Sequence, residues 1–185
     1  SWLLGTESGA LVEYSRSGLR ELARLPDPNL ALVDAHGELG DLAVVAAEDA
    51  SRRPVLIGHA ARRFMRPMPV EAAASLSGVA RIDDESWLVV GRSVEGRCFA
   101  AIYRPLDWTI TPIPPPEGRA LVAVASRPER RLAVAVGTDG SIVRVERDKH
   151  ESVNVDGRPD LAAVAIDVVG NEWAAGAGSI WANRA

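Results

Sequence analysis

An internal repeat constrains the fold of this 185-residue chain more than any other feature of its sequence. Four similar apolar pentapeptides occur along the chain, and their first leucines are separated by 46, 45 and 40 residues. A second apolar anchor follows each leucine by 11 or 12 residues. Two anchors that recur in phase indicate a structural repeat. The pentapeptides are LALVD from Leu30, LSGVA from Leu76, LVAVA from Leu121 and LAAVA from Leu161, and the anchors are Leu42, Trp87, Leu132 and Trp173.

Each repeat has the pattern of four short β-strands. The pentapeptide is apolar throughout, which is typical of a strand buried on both faces. The run after the second anchor contains a hairpin signal, as in TDG at 138–140, where glycine adopts a positive φ at little cost. A more polar strand follows, as in DWTITPI from Asp107 and HESVNVD from His150. Four strands in about 40 to 50 residues are typical of one β-propeller blade.

The sequence therefore predicts an all-β fold, a β-propeller of four-stranded antiparallel blades. The buried pentapeptide would be the innermost strand, and the polar strand the outer edge, where charge and proline discourage stray pairing. An antiparallel sandwich, the rival architecture, predicts no repeated four-strand unit. Valines at the same place in each pentapeptide would mark the inner strands, and a glycine recurs after the second anchor. These residues are Val33, Val79, Val124 and Val164, and Gly5, Gly91, Gly137 and Gly176.

The repeat frame predicts about five blades within a single propeller domain or propeller fragment. The first copy begins at Trp2, which occupies the second-anchor position, and the last copy ends before a fourth strand. Both terminal blades should therefore be incomplete, either in a closed five-bladed ring or in an arc of a larger ring. The repeats cover approximately residues 1–28, 29–74, 75–118, 119–159 and 160–185.

The second half of the chain carries a more specific pattern. A tryptophan precedes a connection, an apolar strand follows, and a WAVG-x-x-G-x-I-like hairpin comes later; these features are Trp108, residues 121–125, Trp173, Gly176, Gly178 and Ile180. The pattern resembles the repeats of photosystem II assembly factor-like propellers, within the wider WD-repeat-like and sialidase-like population. The resemblance implies a non-catalytic protein-binding scaffold, often joined to other domains in bacterial proteins. The sequence contains neither an intact sialidase aspartate box nor the Trp-Asp ending of standard WD repeats.

Few residues of the sequence suggest catalysis. The three histidines, His36, His59 and His150, are expected to be solvated or to cap turns, and the acidic run 83–85 is expected to form a solvated turn. Cys98 is the single cysteine and lies in an apolar stretch, so we expect a small buried side chain. No P-loop, dinucleotide fingerprint or calcium loop occurs. We therefore predict no enzyme activity, no cofactor and no metal site, with a propeller hydrolase as an alternative.

Arginines beside aromatic and thioether side chains form the best candidate binding feature. Arginine next to exposed aromatic surface is typical of interface anchors, although arginines also protect solvated edge strands from pairing. Arg92 in a hairpin turn and the isolated Trp108 are further candidates. The predicted partner-binding residues are Arg52, Arg53, Arg62, Arg63, Phe64, Arg66, Arg92 and Trp108, with Met65 and Met68 nearby.

These features favour a non-catalytic interaction scaffold or a regulatory or sensor propeller within a larger bacterial protein or complex. The expected partner is a protein, either an acidic segment or a neighbouring chain or segment that completes the terminal blades. The net charge of −4 argues against nucleic acid, and no apolar run is long enough to span a membrane. No targeting signal is visible, which slightly favours the cytoplasm. A propeller that binds a glycan or small ligand by stacking on Trp108 or Trp181 is the alternative.

Overall fold

Short apolar runs separated by turn residues form β-strands along the described part of the chain. The computed structural model describes residues 2–5, 10–15, 18–25, 27–37, 42–61, 63–147, 149–176 and 178–183. Within these residues the helical pieces are two single turns of 3-10 helix, Pro128–Arg130 and Thr138–Gly140. The prediction of an all-β chain is therefore confirmed.

The strands form five antiparallel sheets, which we number 1 to 5 in chain order. Sheet 1 consists of β1 (Trp2–Gly5), β2 (Ala10–Ser15) and β3 (Gly18–Arg24). Sheet 2 consists of β4 (Ala31–Gly37), β5 (Leu42–Glu48), β6 (Pro54–Ala60), β7 (Arg63–Phe64) and β8 (Met68–Pro69). Sheet 3 consists of β9 (Ala73–Arg81), β10 (Trp87–Ser93), β11 (Cys98–Arg104) and β12 (Thr109–Pro112). Sheet 4 consists of β13 (Leu121–Arg127), β14 (Leu132–Gly137), β15 (Ser141–Glu146) and β16 (Lys149–Asn154), and sheet 5 of β17 (Ala163–Ile166), β18 (Glu172–Gly176) and β19 (Ser179–Asn183).

Each sheet is a meander in which strands that follow one another in sequence pair antiparallel. Sheets 3 and 4 have four strands, while the outer strand of sheet 2 is split into β7 and β8, both paired to β6. Pro67 lies between β7 and β8, where a residue without an N–H cannot continue a hydrogen-bonded ladder. Sheets 1 and 5 have three strands among the described residues. The predicted propeller of antiparallel blades with incomplete terminal blades is confirmed.

Strands β4, β9, β13 and β17 lie side by side as the inner strands of sheets 2 to 5. They contain the four predicted marker valines, Val33, Val79, Val124 and Val164, so the predicted strand order is confirmed. The predicted burial of the inner strands on both faces is wrong, because β4, β13 and β17 are mostly partly exposed. The second strands β5 and β14 are the fully buried ones. They lie between neighbouring sheets, whereas an inner strand has no further strand on its inner side.

Apolar cores fill the spaces between successive sheets. Successive side chains of a strand point to opposite faces, so one continuous apolar strand contributes to two cores. In β5, Val44 packs toward sheet 3 and Val45 toward sheet 1, and both are fully buried. Each such aliphatic side chain contributes about 1.5–3 kcal/mol to folding. Representative core residues are Leu11 and Ile57 between sheets 1 and 2, Leu56 and Trp87 between sheets 2 and 3, Leu88 and Leu121 between sheets 3 and 4, and Val134 and Leu161 between sheets 4 and 5.

One buried carboxylate also joins sheets 4 and 5. Glu172 is 1% exposed, and its Oε1 accepts a hydrogen bond from the Arg144 Nε at 2.6 Å. The Asn183 amide donates to the other carboxylate oxygen at 3.3 Å. A buried charge is tolerated only when it is paired and hydrogen-bonded. The pair therefore fixes how sheet 5 lies against sheet 4.

The recurrent glycines of sheets 3 to 5 lie in the second strands of those sheets. Each is in close contact with the backbone at which the inner strand of the same sheet begins. A Cβ on Gly137 would overlap the Ala120 carbonyl oxygen and lie 2.8 Å from the Leu121 Cα. Gly91 and Gly176 meet the equivalent backbone in sheets 3 and 5. Glycine recurs in the repeat because no side chain fits at this close approach.

We predict that Gly137→Ala destabilises the protein by about 3 kcal/mol or more, because a backbone contact cannot yield to the added methyl group. Gly96→Ala is the matched control, since Gly96 has a positive φ but open space around it. The control should cost only about 1 kcal/mol. Urea unfolding measures both changes, and equal losses for the two variants would contradict this explanation of the repeat.

Candidate functional site

Antiparallel pairing places the turns at two opposite ends of the sheets. The end that we call end A carries the β5–β6 turn (49–53) and the β10–β11 turn (94–97). The opposite end, end B, carries the β9–β10 turn (82–86) and the β11–β12 turn (105–108). Consecutive strands run in opposite directions, so turns on either side of one strand lie at different ends.

The predicted arginines do not form a single surface. Arg52 and Arg53 lie in the β5–β6 turn at end A, while Arg63 lies beyond β6 toward end B. The intervening β6 has seven residues and spans about 20 Å. Arg92 lies near the end-A terminus of β10 and is exposed. Arg62 lies outside the described residues.

At end B the structure brings Arg66 and Trp108 together. The guanidinium carbon of Arg66 lies 5.8 Å from the centre of the Trp108 ring, although 42 positions separate them in the sequence. The Met65 N–H donates to the Gly58 carbonyl at 2.7 Å within sheet 2. Gly58 in turn lies against sheet 3, because a Cβ on it would be 2.9 Å from the Pro105 Cβ of the β11–β12 turn. Leu106, in the same turn as Trp108, is 59% exposed, and Trp108 is 46% exposed. We call the exposed group of Arg63, Arg66, Leu106 and Trp108 the Arg–Trp surface.

The sequence pattern placed Trp108 on the outer strand. In the structure it lies in the β11–β12 turn, just before that strand begins. Its φ is 51°, in the left-handed region that bulky residues rarely adopt. A residue held there costs roughly 1–3 kcal/mol, and such strain is concentrated at functional positions. The large aromatic ring of Trp108 is thus exposed at the surface although its backbone conformation is unfavourable for tryptophan.

The arginines of the Arg–Trp surface have no carboxylate partner within the part of the chain that the structure describes. Neither Arg63 nor Arg66 forms an ion pair with a described residue. Asp107, exposed in the same turn, is the nearest acidic residue in the sequence. Two guanidinium groups against one carboxylate leave this surface with a net positive charge.

Two other predicted binding residues, Arg53 and Phe64, contact neighbouring side chains of the protein itself. Arg53 pairs with Asp49, with 2.7 Å between the Arg53 Nη2 and the carboxylate. Phe64 is half-buried, packs against the core between sheets 1 and 2, and meets the His59 ring edge-on with 4.8 Å between ring centres. These contacts assign Arg53 to turn structure and Phe64 mainly to packing.

Sequence reasoning missed a polar seam between the inner strands of sheets 2 and 3. The Asp34 Oδ2 accepts the Val79 N–H at 2.8 Å, and the His36 Nδ1 accepts the Arg81 N–H at 3.1 Å. The His36 carbonyl accepts the Trp87 indole N–H at 3.3 Å. The signal was present, because Asp34 takes the fifth position of its pentapeptide, which is alanine in the other three.

Burial governs the ionisation of the seam. Desolvation, helped by the positive charge of Arg81, lowers the pKa of His36 from its usual 6.5. Desolvation raises the pKa of Asp34 above 3.8, although N–H groups of Val79 and Ala35 oppose the shift. Burial also lowers the pKa of His59. The seam thus depends on a neutral His36, since a protonated Nδ1 could not accept the Arg81 N–H.

The lowered pKa of His36 predicts that stability decreases as the pH falls below about 6.5. The unfolded chain takes up the histidine proton first, so the folded state loses free energy relative to it. Asp34 acts with the opposite slope, because its raised pKa makes stability fall as the pH rises above 3.8. His36→Gln keeps an acceptor without titrating, so it should reduce the slope of the stability profile between pH 7.5 and pH 5.5, roughly one unit on each side of the usual histidine pKa. Part of the slope should remain, because burial also lowers the pKa of His59.

His150→Gln is the control, because His150 is exposed on β16. This variant should keep the wild-type dependence on pH. Urea unfolding at several pH values measures the slopes, and a His36→Gln slope equal to that of the wild type would contradict the role of the seam.

The remaining catalytic candidates are placed in structural roles. The prediction of solvated or capping histidines is wrong for His36, which is half-buried, and for His59, which is 4% exposed. The acidic run lies in the β9–β10 turn as predicted, where the Asp83 Oδ1 accepts from the Ser86 hydroxyl at 2.7 Å. Cys98 is buried as predicted. Within the described residues, no cluster of three or more His, Cys, Asp or Glu could hold a metal ion, and no helix could span a membrane.

Comparison with known proteins finds similarity in structure alone. No protein-family model matches the chain, and no curated protein sequence matches it. The crystal structure of the WD40 β-propeller domain of Doa1 is similar, with a TM-score of 0.65 over 96% of this chain and 11% sequence identity. The chain spans 58% of the length of that domain's chain. Together with the five sheets, this similarity shows that the chain has a WD40-like β-propeller fold.

Proposed function

We propose that the chain is a non-catalytic, protein-interaction propeller that binds its partner at end B. The observation that carries the proposal is the exposed cation–π contact between Arg66 and Trp108 at the junction of sheets 2 and 3. Rigid sheets present this turn, and turns on a rigid scaffold are the usual place for binding residues. Arginine and tryptophan are also the side chains most enriched among interface hot spots.

A scaffold role agrees better with the described polar groups than an enzyme does. Asp34 and His36 are the acidic and imidazole groups nearest each other on an inner strand, and both are engaged with the backbone of β9. A catalytic acid or base must instead reach the substrate proton directly. The resemblance of the second-half repeats to photosystem II assembly factor-like propellers supports the same scaffold role, as a regulatory or sensor module in a larger bacterial complex.

A glycan-binding propeller is the second candidate, because Trp108 is an exposed aromatic ring. The guanidinium of Arg66 already lies over that ring, which leaves less of it for stacking on a sugar. The free guanidinium groups around the ring also favour a charged protein partner over a neutral sugar.

Site-specific crosslinking tests the proposed function. We expect that replacing Leu106 with the photoreactive residue p-benzoylphenylalanine gives light-dependent protein adducts in extracts of the source organism. Excess unlabelled wild-type chain should suppress these adducts, because the two compete for one partner. Mass spectrometry of the adducts identifies what is bound.

The matched control carries the same photoreactive residue in place of Val153, which is 39% exposed on β16. It should give none of the adducts seen from position 106. Adducts that glycosidase treatment removes would favour the glycan candidate. Equal adducts from both positions, or none from position 106, would overturn the proposal.

A further inference from the structure

We infer that the Arg–Trp surface recognises a short acidic segment of a partner protein that carries one bulky apolar residue. The inference rests on the proposed function and names the chemistry of its partner. Leu106 and Trp108 supply an apolar centre, and Arg63 and Arg66 supply positive charge beside it. A segment that binds here needs an apolar side chain for the centre and carboxylates for the surrounding guanidinium groups.

Charge distinguishes this surface from the other exposed apolar residues. Trp173 and Ile180 are also exposed on sheet 5, but their neighbours across the pairing are Ala165, Ala182 and Ala175. These alanines carry no charge that would select one occupant over another. At the Arg–Trp surface, in contrast, unpaired guanidinium groups select carboxylates by charge complementarity.

The cation–π contact with Trp108 prepares Arg66 for a carboxylate. A guanidinium that lies over an aromatic ring keeps the N–H donors of its planar edge free. Stacking also limits the rotamers of a long flexible side chain, so less conformational entropy is lost when a carboxylate binds. Because Arg66 forms no ion pair with a described residue, its donors are available to a partner.

Carboxylate and phosphate both match the planar fork of arginine, so single-stranded nucleic acid is the competing ligand class. The net charge of the chain is −4, which gives nucleic acid no general attraction to the rest of the surface. Leu106 gives a base little to stack on, whereas it suits an aliphatic side chain. A peptide is therefore the partner that the surface fits better.

Fluorescence anisotropy at low salt, with the labelled synthetic peptide Glu-Glu-Asp-Leu-Asp-Glu-Glu as the probe, tests the inference. We expect saturable binding that weakens as salt is added, because the contacts are charged and exposed. The same peptide with glycine in place of leucine should bind at least about threefold more weakly, since it lacks the apolar anchor. An oligothymidine of equal charge should bind more weakly than the leucine peptide.

Two arginine variants locate the contact. Arg66→Glu should lower the affinity roughly tenfold or more, the loss expected when a charge-assisted contact becomes repulsive. Arg92→Glu makes the same change of charge on β10 near end A and should stay within about twofold of the wild type. Arg66→Lys keeps the charge but loses the planar donor fork, so its affinity should lie between those of the wild type and Arg66→Glu.

Three results would overturn the inference. These are the absence of saturable binding by the leucine peptide, equal losses for Arg66→Glu and Arg92→Glu, and tighter binding of the oligothymidine. The melting temperatures of both variants should stay within about 3 °C of the wild type, because both arginines are exposed. If Arg66→Glu melts lower, Trp108→Ala replaces it and should lower the affinity at least about threefold. If the peptide does not bind but position 106 still gives specific crosslinks, this inference is overturned and the proposed function stands. If the peptide does not bind and position 106 gives no crosslinks, the inference and the proposed function are both overturned.

Discussion

Burial of sheet faces against one another is the constraint on which the rest of the structure depends. A single three- or four-stranded sheet cannot cover both of its faces, so each sheet needs a neighbour on either side. The second strands meet this need by alternation, because Val44 and Val45 of β5 contribute to cores on opposite sides. The same requirement explains the recurrent glycines, since the close approach at Gly137 leaves no room for a Cβ.

The meander within each sheet decides what the surface can present. Because strands alternate in direction, residues close in sequence on either side of β6 lie at opposite ends of sheet 2. Arg66 and Trp108 are distant in sequence, but they meet because sheet 2 packs against sheet 3. The junction between two sheets is thus where distant segments combine, and its rigidity comes from the apolar core beneath it. A binding surface at this place can remain strained, as at Trp108, because the surrounding sheets stabilise it.

The inner strands add a second type of link between sheets. Side chains of β4 accept backbone N–H groups of β9, which satisfies donors that the β9–β10 ladder leaves free. Sheets 4 and 5 use a different device, the buried pair of Arg144 and Glu172. Apolar packing therefore sets the spacing of sheets, and these polar contacts fix their relative positions.

Much of this architecture was determined by the sequence alone. The repeat of two anchors and a glycine predicted five blades, the order of their strands and the incomplete terminal blades. This was possible because the spacing of apolar residues and turns is a local property of the chain. The TDG hairpin was equally local, with Asp139 and Gly140 both at positive φ. Local pattern could not show which strand would be most buried, since burial depends on what lies on both sides of a strand.

The candidate site was decided by the tertiary structure. Sequence proximity grouped Arg52, Arg53 and Arg63, but one extended strand separates the first two from the third by its full length. The sequence identified Arg66 and Trp108 singly, and only the packing of sheet 2 against sheet 3 brings their side chains together. The physical reason is that strand pairing and sheet packing set distances in space, whereas a one-dimensional pattern records only distance along the chain.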